Sequence, residues 1–187
     1  MSEDATEKPV LIPVEVPWMV DSATPFLHVS VSEDPNEEPS HVQFVGYVGP
    51  LAEDGKAYRV VRIVLEPGVW LHMRPGRFDT DAIDTSRFDA SRLPVIGPDP
   101  REYLRHSEEE WRRTGVCPDP NMYEVDRSPW VREAGFAQSS FPSWLSQIGV
   151  AEGHKHVLIA GHDYYVEVLT KGWRYELGEY LVGEAWR

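Results

Sequence analysis

The 187 residues carry 31 Asp+Glu against 18 Lys+Arg, a formal net charge of −13, and 41% of them are hydrophobic. That apolar stock, with seven Trp, eight Tyr and six Phe, suffices for a folded core in a chain whose length fits one domain. The negative surplus disfavours nucleic-acid backbones and anionic membranes as partners and favours basic protein surfaces.

The surplus is concentrated early. Residues 1–56 hold 11 acids and two bases, Lys8 and Lys56, a net of −9. Cys117 is the only cysteine, so no intrachain disulfide can form, which fits a reducing compartment. The opening MSEDATE lacks the basic-then-apolar order of a secretory signal, and no apolar run approaches the roughly 20 residues that span a bilayer. These features predict a cytoplasmic protein with a disordered tail over 1–8 and a single α+β domain over 9–187.

In chain order, residues 10–20 are apolar at every even position, the period of a half-buried strand. Pro13 and Pro17 fall on the opposite face, which suits an edge strand or two short pieces. Strands are expected at 26–31, 41–48, 58–65 and 69–73, with an acidic loop over 32–40 and a hairpin loop over 51–56. Residues 74–98 read as a polar connector in which Arg77-Phe78-Asp79 is echoed by Arg87-Phe88-Asp89. A surface loop pinned by two phenylalanines accounts for that echo.

The clearest helix is expected over 100–114. Asp99 is a good N-cap, Pro100 suits the first helical position, Glu102 completes a capping box, and Gly115 can end the helix. Tyr103, Leu104, Ser107 and Trp111 form its expected buried stripe. A shorter helix should start at Ser128-Pro129-Trp130 and stop at Gly135, with another helical turn over 142–148. Strands return at 156–160, 164–169 and 173–177, and the span 156–177 reads as contiguous antiparallel strands of one core sheet. The fold class is therefore α+β, mainly antiparallel sheet with a helical insertion around residues 100–148.

Candidate chemistry is sparse. His154, His156 and His162-Asp163 place three imidazoles and a carboxylate within ten residues, but in no recognised metal-site spacing. His162-Asp163 also serves as a turn pair. Asp79, Asp81, Asp84 and Asp89 lack the glycine and glutamate of a calcium loop. Cys117, in a Pro-rich turn, matches no nucleophile signature, and a half-buried structural thiol is the better reading. Glu167 and Glu176 read as charges on the solvent face of a sheet. No catalytic residue, metal or other cofactor is expected.

Two runs, GVCPDPNMYEV at 115–125 and HVLIAGHDYYVEVL at 156–169, resemble small uncharacterised bacterial proteins of the immunity type that partner polymorphic toxins. The resemblance covers roughly residues 100–177 and implies an acidic inhibitor of a basic toxin. The favoured expectation is a protein-binding module that meets a basic partner through Glu33, Asp34, Glu37 and Glu38 in one loop and Asp79, Asp81 and Asp84 in another. A structural or assembly subunit with a homomeric interface is the first alternative. A metal-dependent enzyme using His154, His156 and His162 is the second.

Overall fold

The computed structural model describes residues 7–20, 27–32, 34, 36–53, 55, 57–67, 69–75, 83–84, 86–94, 99–133, 153–161 and 164–180. Ten strands are defined there: β1 (Val10–Pro13), β2 (Met19–Val20), β3 (His28–Ser30), β4 (His41–Tyr47), β5 (Tyr58–Leu65), β6 (Trp70–Pro75), β7 (Met122–Asp126), β8 (Lys155–Ala160), β9 (Tyr164–Thr170) and β10 (Trp173–Tyr180). One α-helix, α1 (Pro100–Thr114), lies between β6 and β7. The fold is mainly antiparallel β with little helix.

The strands form two sheets. The first runs β1-β7-β8-β9-β6; the second runs β10-β5-β4-β2, with β3 also pairing β4. They face each other across one apolar cluster. Val42, Phe44, Val61, Ile63 and Leu65 enter it from the second sheet, and Met122, Val157, Ile159, Val166 and Val168 from the first. β-branched side chains dominate these inward positions, where a pleated surface packs them well. Burying them removes apolar area from water, which is the main stabilising term of the fold.

The 10–20 segment bridges the layers. Val10 to Pro13 pair with β7 in the first sheet, whereas Met19 and Val20 pair with β4 in the second. Pro13 and Pro17 thus divide the run into two short pieces. Trp18 is fully buried and lies over Gly46, where an added Cβ would come within 2.5 Å of Val61 Cγ2.

Helix α1 begins where Asp99 accepts the Arg101 N–H at 2.8 Å and ends at Gly115 in the left-handed region (φ 77°). Its buried stripe is narrower than expected. Trp111 packs against Gly49 and Tyr47, but Leu104 is 59% exposed. A stripe at i, i+4 and i+8 leaves position i+1 turned by about 100° toward solvent.

Two further expectations change. The 100–148 span is not helical throughout, because Met122–Asp126 is a strand seated between β1 and β8. Residues 129–133 are helical as expected, while Gly135 and 142–148 lie outside the described residues. The 156–177 span also divides: β8 and β9 form the expected hairpin, but β10 crosses to the second sheet and pairs with β5. The turn at Lys171-Gly172 directs this crossing. Glu66 N–H donates to Gly172 O at 2.9 Å and the Thr170 hydroxyl donates to Gly172 O at 2.7 Å, which ties the turn to the end of β5.

Candidate functional site

Alternation along β8 and β9 sends Val157, Ile159, Val166 and Val168 into the core and turns His156, Leu158, Tyr165 and Glu167 to the other side of the first sheet. That side is covered. Ile83 and Phe88 pack on Leu11, Tyr123, Val125, Leu158 and Tyr165. This covering strap, described at 83–84 and 86–90, is pinned to the edge strand by Asp89 N–H donating to Pro9 O at 2.8 Å and Leu11 N–H donating to Asp89 O at 3.0 Å.

Glu167 is therefore not on a solvent face; it is 2% exposed beneath the strap. Three groups meet its carboxylate. Arg87 donates from Nη1 to Oε1 at 2.8 Å and from Nη2 to Oε2 at 3.2 Å, and Arg74 donates from Nε to Oε1 at 2.5 Å. His156 Nε2 lies 3.3 Å from Oε2, without hydrogen-bond alignment. Burial alone would raise this carboxyl, but His156 and Arg87 overcome it and hold the group at about 2. Arg87 also donates to Tyr165 Oη at 2.5 Å.

His156 links this hub to the start of the 129–133 helix. Its Nδ1 lies 2.8 Å from Ser128 Oγ, which in turn accepts the Val131 N–H at 3.3 Å as an N-cap. Trp130 closes the top, stacked on His72 at 4.3 Å and edge-on to His156 at 5.3 Å. Ser128, His154 and His156 line an open cleft of about 340 Å³, whose rim includes Arg127, Arg132 and Lys155.

The order hydroxyl–imidazole–carboxylate has the form of a proton relay. Its electrostatics are those of an anchor. Two guanidiniums neutralise the Glu167 charge, and the Ser128 oxygen is engaged by a backbone donor. The arrangement ties strap, helix start and sheet together.

His154 and His156 do share one cleft, but His156 Nδ1 is taken by Ser128 Oγ and His162 lies outside the described residues. Among the described residues no three His, Cys, Asp or Glu side chains are grouped to hold a metal. Cys117 is buried, and desolvation pushes its thiol up to about 12, far from a thiolate nucleophile.

Of the expected partner-binding residues, Asp34, Glu37 and Glu38 are exposed together in the loop between β3 and β4. Asp84 is half-buried in the strap on the other layer, where its carboxylate accepts from Ser86 N–H and Oγ. Asp84 thus stands apart from Asp34, Glu37 and Glu38. Glu33, Asp79 and Asp81 lie outside the described residues.

Sequence reasoning missed Arg74, Arg87, Ser128 and Trp130 as parts of one cluster. The signal was present in the Arg-Phe-Asp echo, because every residue of its second copy is engaged. Arg87 pairs with Glu167, Phe88 fills the outer core, and Asp89 bridges the backbone of Val10. Among the described residues, no helix is long and apolar enough to cross a membrane. No protein-family model, curated protein or solved structure matches the chain.

Proposed function

We propose that this chain is a cytoplasmic protein-binding module of the immunity or antitoxin type, which neutralises a basic protein by occupying its surface. The loop between β3 and β4 is the observation that supports the reading. Its acids project outward while its backbone is held from within. Ser32 N–H donates to Ser40 Oγ at 3.0 Å, Asn36 N–H donates to Asp34 Oδ1 at 2.8 Å, and Ser32 Oγ donates to Glu37 Oε2 at 2.9 Å. Glu38 adds an ion pair to Arg62 on β5. Ordering the loop before binding lowers the entropy lost on association, and clustered charge speeds the encounter.

The test is kinetic. A protein captured on this chain from its own cytoplasm should be basic, and its association rate should fall as salt rises. Asp34→Lys with Glu37→Lys should slow association about tenfold, with dissociation nearly unchanged. A rate indifferent to both salt and charge reversal would show that the loop serves solubility alone.

A further inference from the structure

A sheet edge offers a row of N–H and C=O groups to any passing strand, and proteins usually blunt it with short strands, prolines or cover. Most edges here follow that rule. β2 and β3 are two and three residues long, β1 carries Pro13 and takes a parallel bridge from Asp89 at Val10, and β6 ends in Pro75. β10 differs. It is eight residues long, contains no proline, and exposes Arg174, Tyr175 and Glu176. Among the described residues only β5 pairs with it, and none of them pairs along its other side.

We propose that the side of β10 turned away from β5 pairs antiparallel with β10 of a second copy of this chain, about a two-fold axis normal to the sheet. The reason is self-complementarity. Such an axis keeps the core-facing sides together, so only residues of the same face can stand opposite one another. Trp173, Tyr175 and Leu177 share the core side, opposite Leu65, Ile63 and Val61 of β5; Arg174 and Glu176 share the outer side. Setting Tyr175 against Tyr175 places Arg174 of each copy opposite Glu176 of the other, and Trp173 opposite Leu177. The neighbouring same-face registers oppose Arg174 to Arg174 or Glu176 to Glu176, and like charges directly opposite are destabilising. Charge therefore selects one register.

The surroundings suit that register. Within one chain Arg174 Nη1 already lies 2.8 Å from Glu176 Oε1, so the pair can form a four-charge cluster across the two-fold. Tyr175 leans edge-on against Trp18 at 4.6 Å and remains 43% exposed, leaving its ring free to meet its twin. The pairing register with β5 shifts after Leu177, which confines the self-complementary stretch to 173–177. This inference does not rest on the acidic-loop reading and is tested on the purified chain alone.

The experiment is mass in solution by sedimentation equilibrium across a concentration series of the full chain. The wild type should dimerise. Arg174→Glu and Glu176→Arg should each raise the dimer dissociation constant at least about tenfold by opposing like charges. Combining Arg174→Glu with Glu176→Arg should restore wild-type affinity. Both positions are exposed on the outer face, and unchanged melting temperatures will exclude misfolding. A wild-type chain that stays monomeric at its highest soluble concentration overturns the proposal. So does a dimer that both single variants leave intact, or a double variant no tighter than the singles.

Discussion

Glu167 on β9 and Arg87 in the strap stand 80 positions apart and meet as a two-pronged pair at 2.8 and 3.2 Å. The planar fork of the guanidinium fixes direction as well as distance, so the pair locks the strap in one position over the sheet.

Acid stability should report this pair. The Glu167 carboxyl is held at about 2 in the folded chain, against an ordinary value of 4.5. The folded state therefore takes up this proton at lower pH than the unfolded state does. The stabilisation is complete above about pH 5 and is lost as pH falls from 4.5 through 2, by up to about 3 kcal/mol. Glu167→Gln should be less stable at neutral pH by about 2–4 kcal/mol and should lose less on acidification. Denaturant melts of both proteins at pH 7 and pH 3 measure this. Parallel losses would mean the carboxylate is not paired in solution.

Cys117 should behave as a hydrophobic side chain. Desolvation pushes its thiol up to about 12, so almost no thiolate exists at pH 8. A disulfide reagent should label the native chain orders of magnitude more slowly than the denatured chain. Native labelling at the rate of a free thiol would place Cys117 at the surface.

Legibility followed sequence distance. β5 lay at 58–65 as expected, and the α1 boundaries followed from Asp99 and Gly115, because these signals are local. Strand β7 was hidden because five residues between the Pro-rich turn and Ser128-Pro129 show too little periodicity. Its ends are set by Asn121 and Arg127, both at positive φ (55° and 56°); Asn tolerates that conformation, but nothing in an arginine announces it. The destination of β10 was invisible for another reason. Its own pattern fits either sheet, and the choice is made by Gly172 meeting Glu66. Glu167 was misread because alternation reports which face a residue takes, not whether another segment covers that face.

Gly46 tests the seam between Trp18 and Val61. A methyl group there would sit 2.5 Å from Val61 Cγ2 and 3.4 Å from Trp18 Cβ, both branches of a packed core. Neither neighbour can swing into solvent, since both are fully buried. Gly46→Ala should therefore cost about 1–3 kcal/mol through overpacking, measured by denaturant titration. A neutral or stabilising result would show slack between β2 and β4.

Ser128 separates an anchor from a nucleophile. Its hydroxyl oxygen lies 2.8 Å from His156 Nδ1 and caps the Val131 N–H at 3.3 Å, so two elements depend on it. Ser128→Ala removes the cap and leaves a buried ring nitrogen without its partner. The expected loss is about 1–2 kcal/mol, with weaker amide protection at Val131 in hydrogen exchange. Ser128→Thr keeps the oxygen and should recover part of that loss. An activated nucleophile would behave differently: a fluorophosphonate probe would label wild-type Ser128 covalently, and His156→Ala would abolish labelling in a chain that still folds. The hub predicts no such adduct, because Ser128 Oγ is held as a helix cap by the Val131 N–H and the Glu167 carboxylate is paired with Arg74 and Arg87. Stoichiometric labelling at Ser128 would replace the anchor with a catalytic relay.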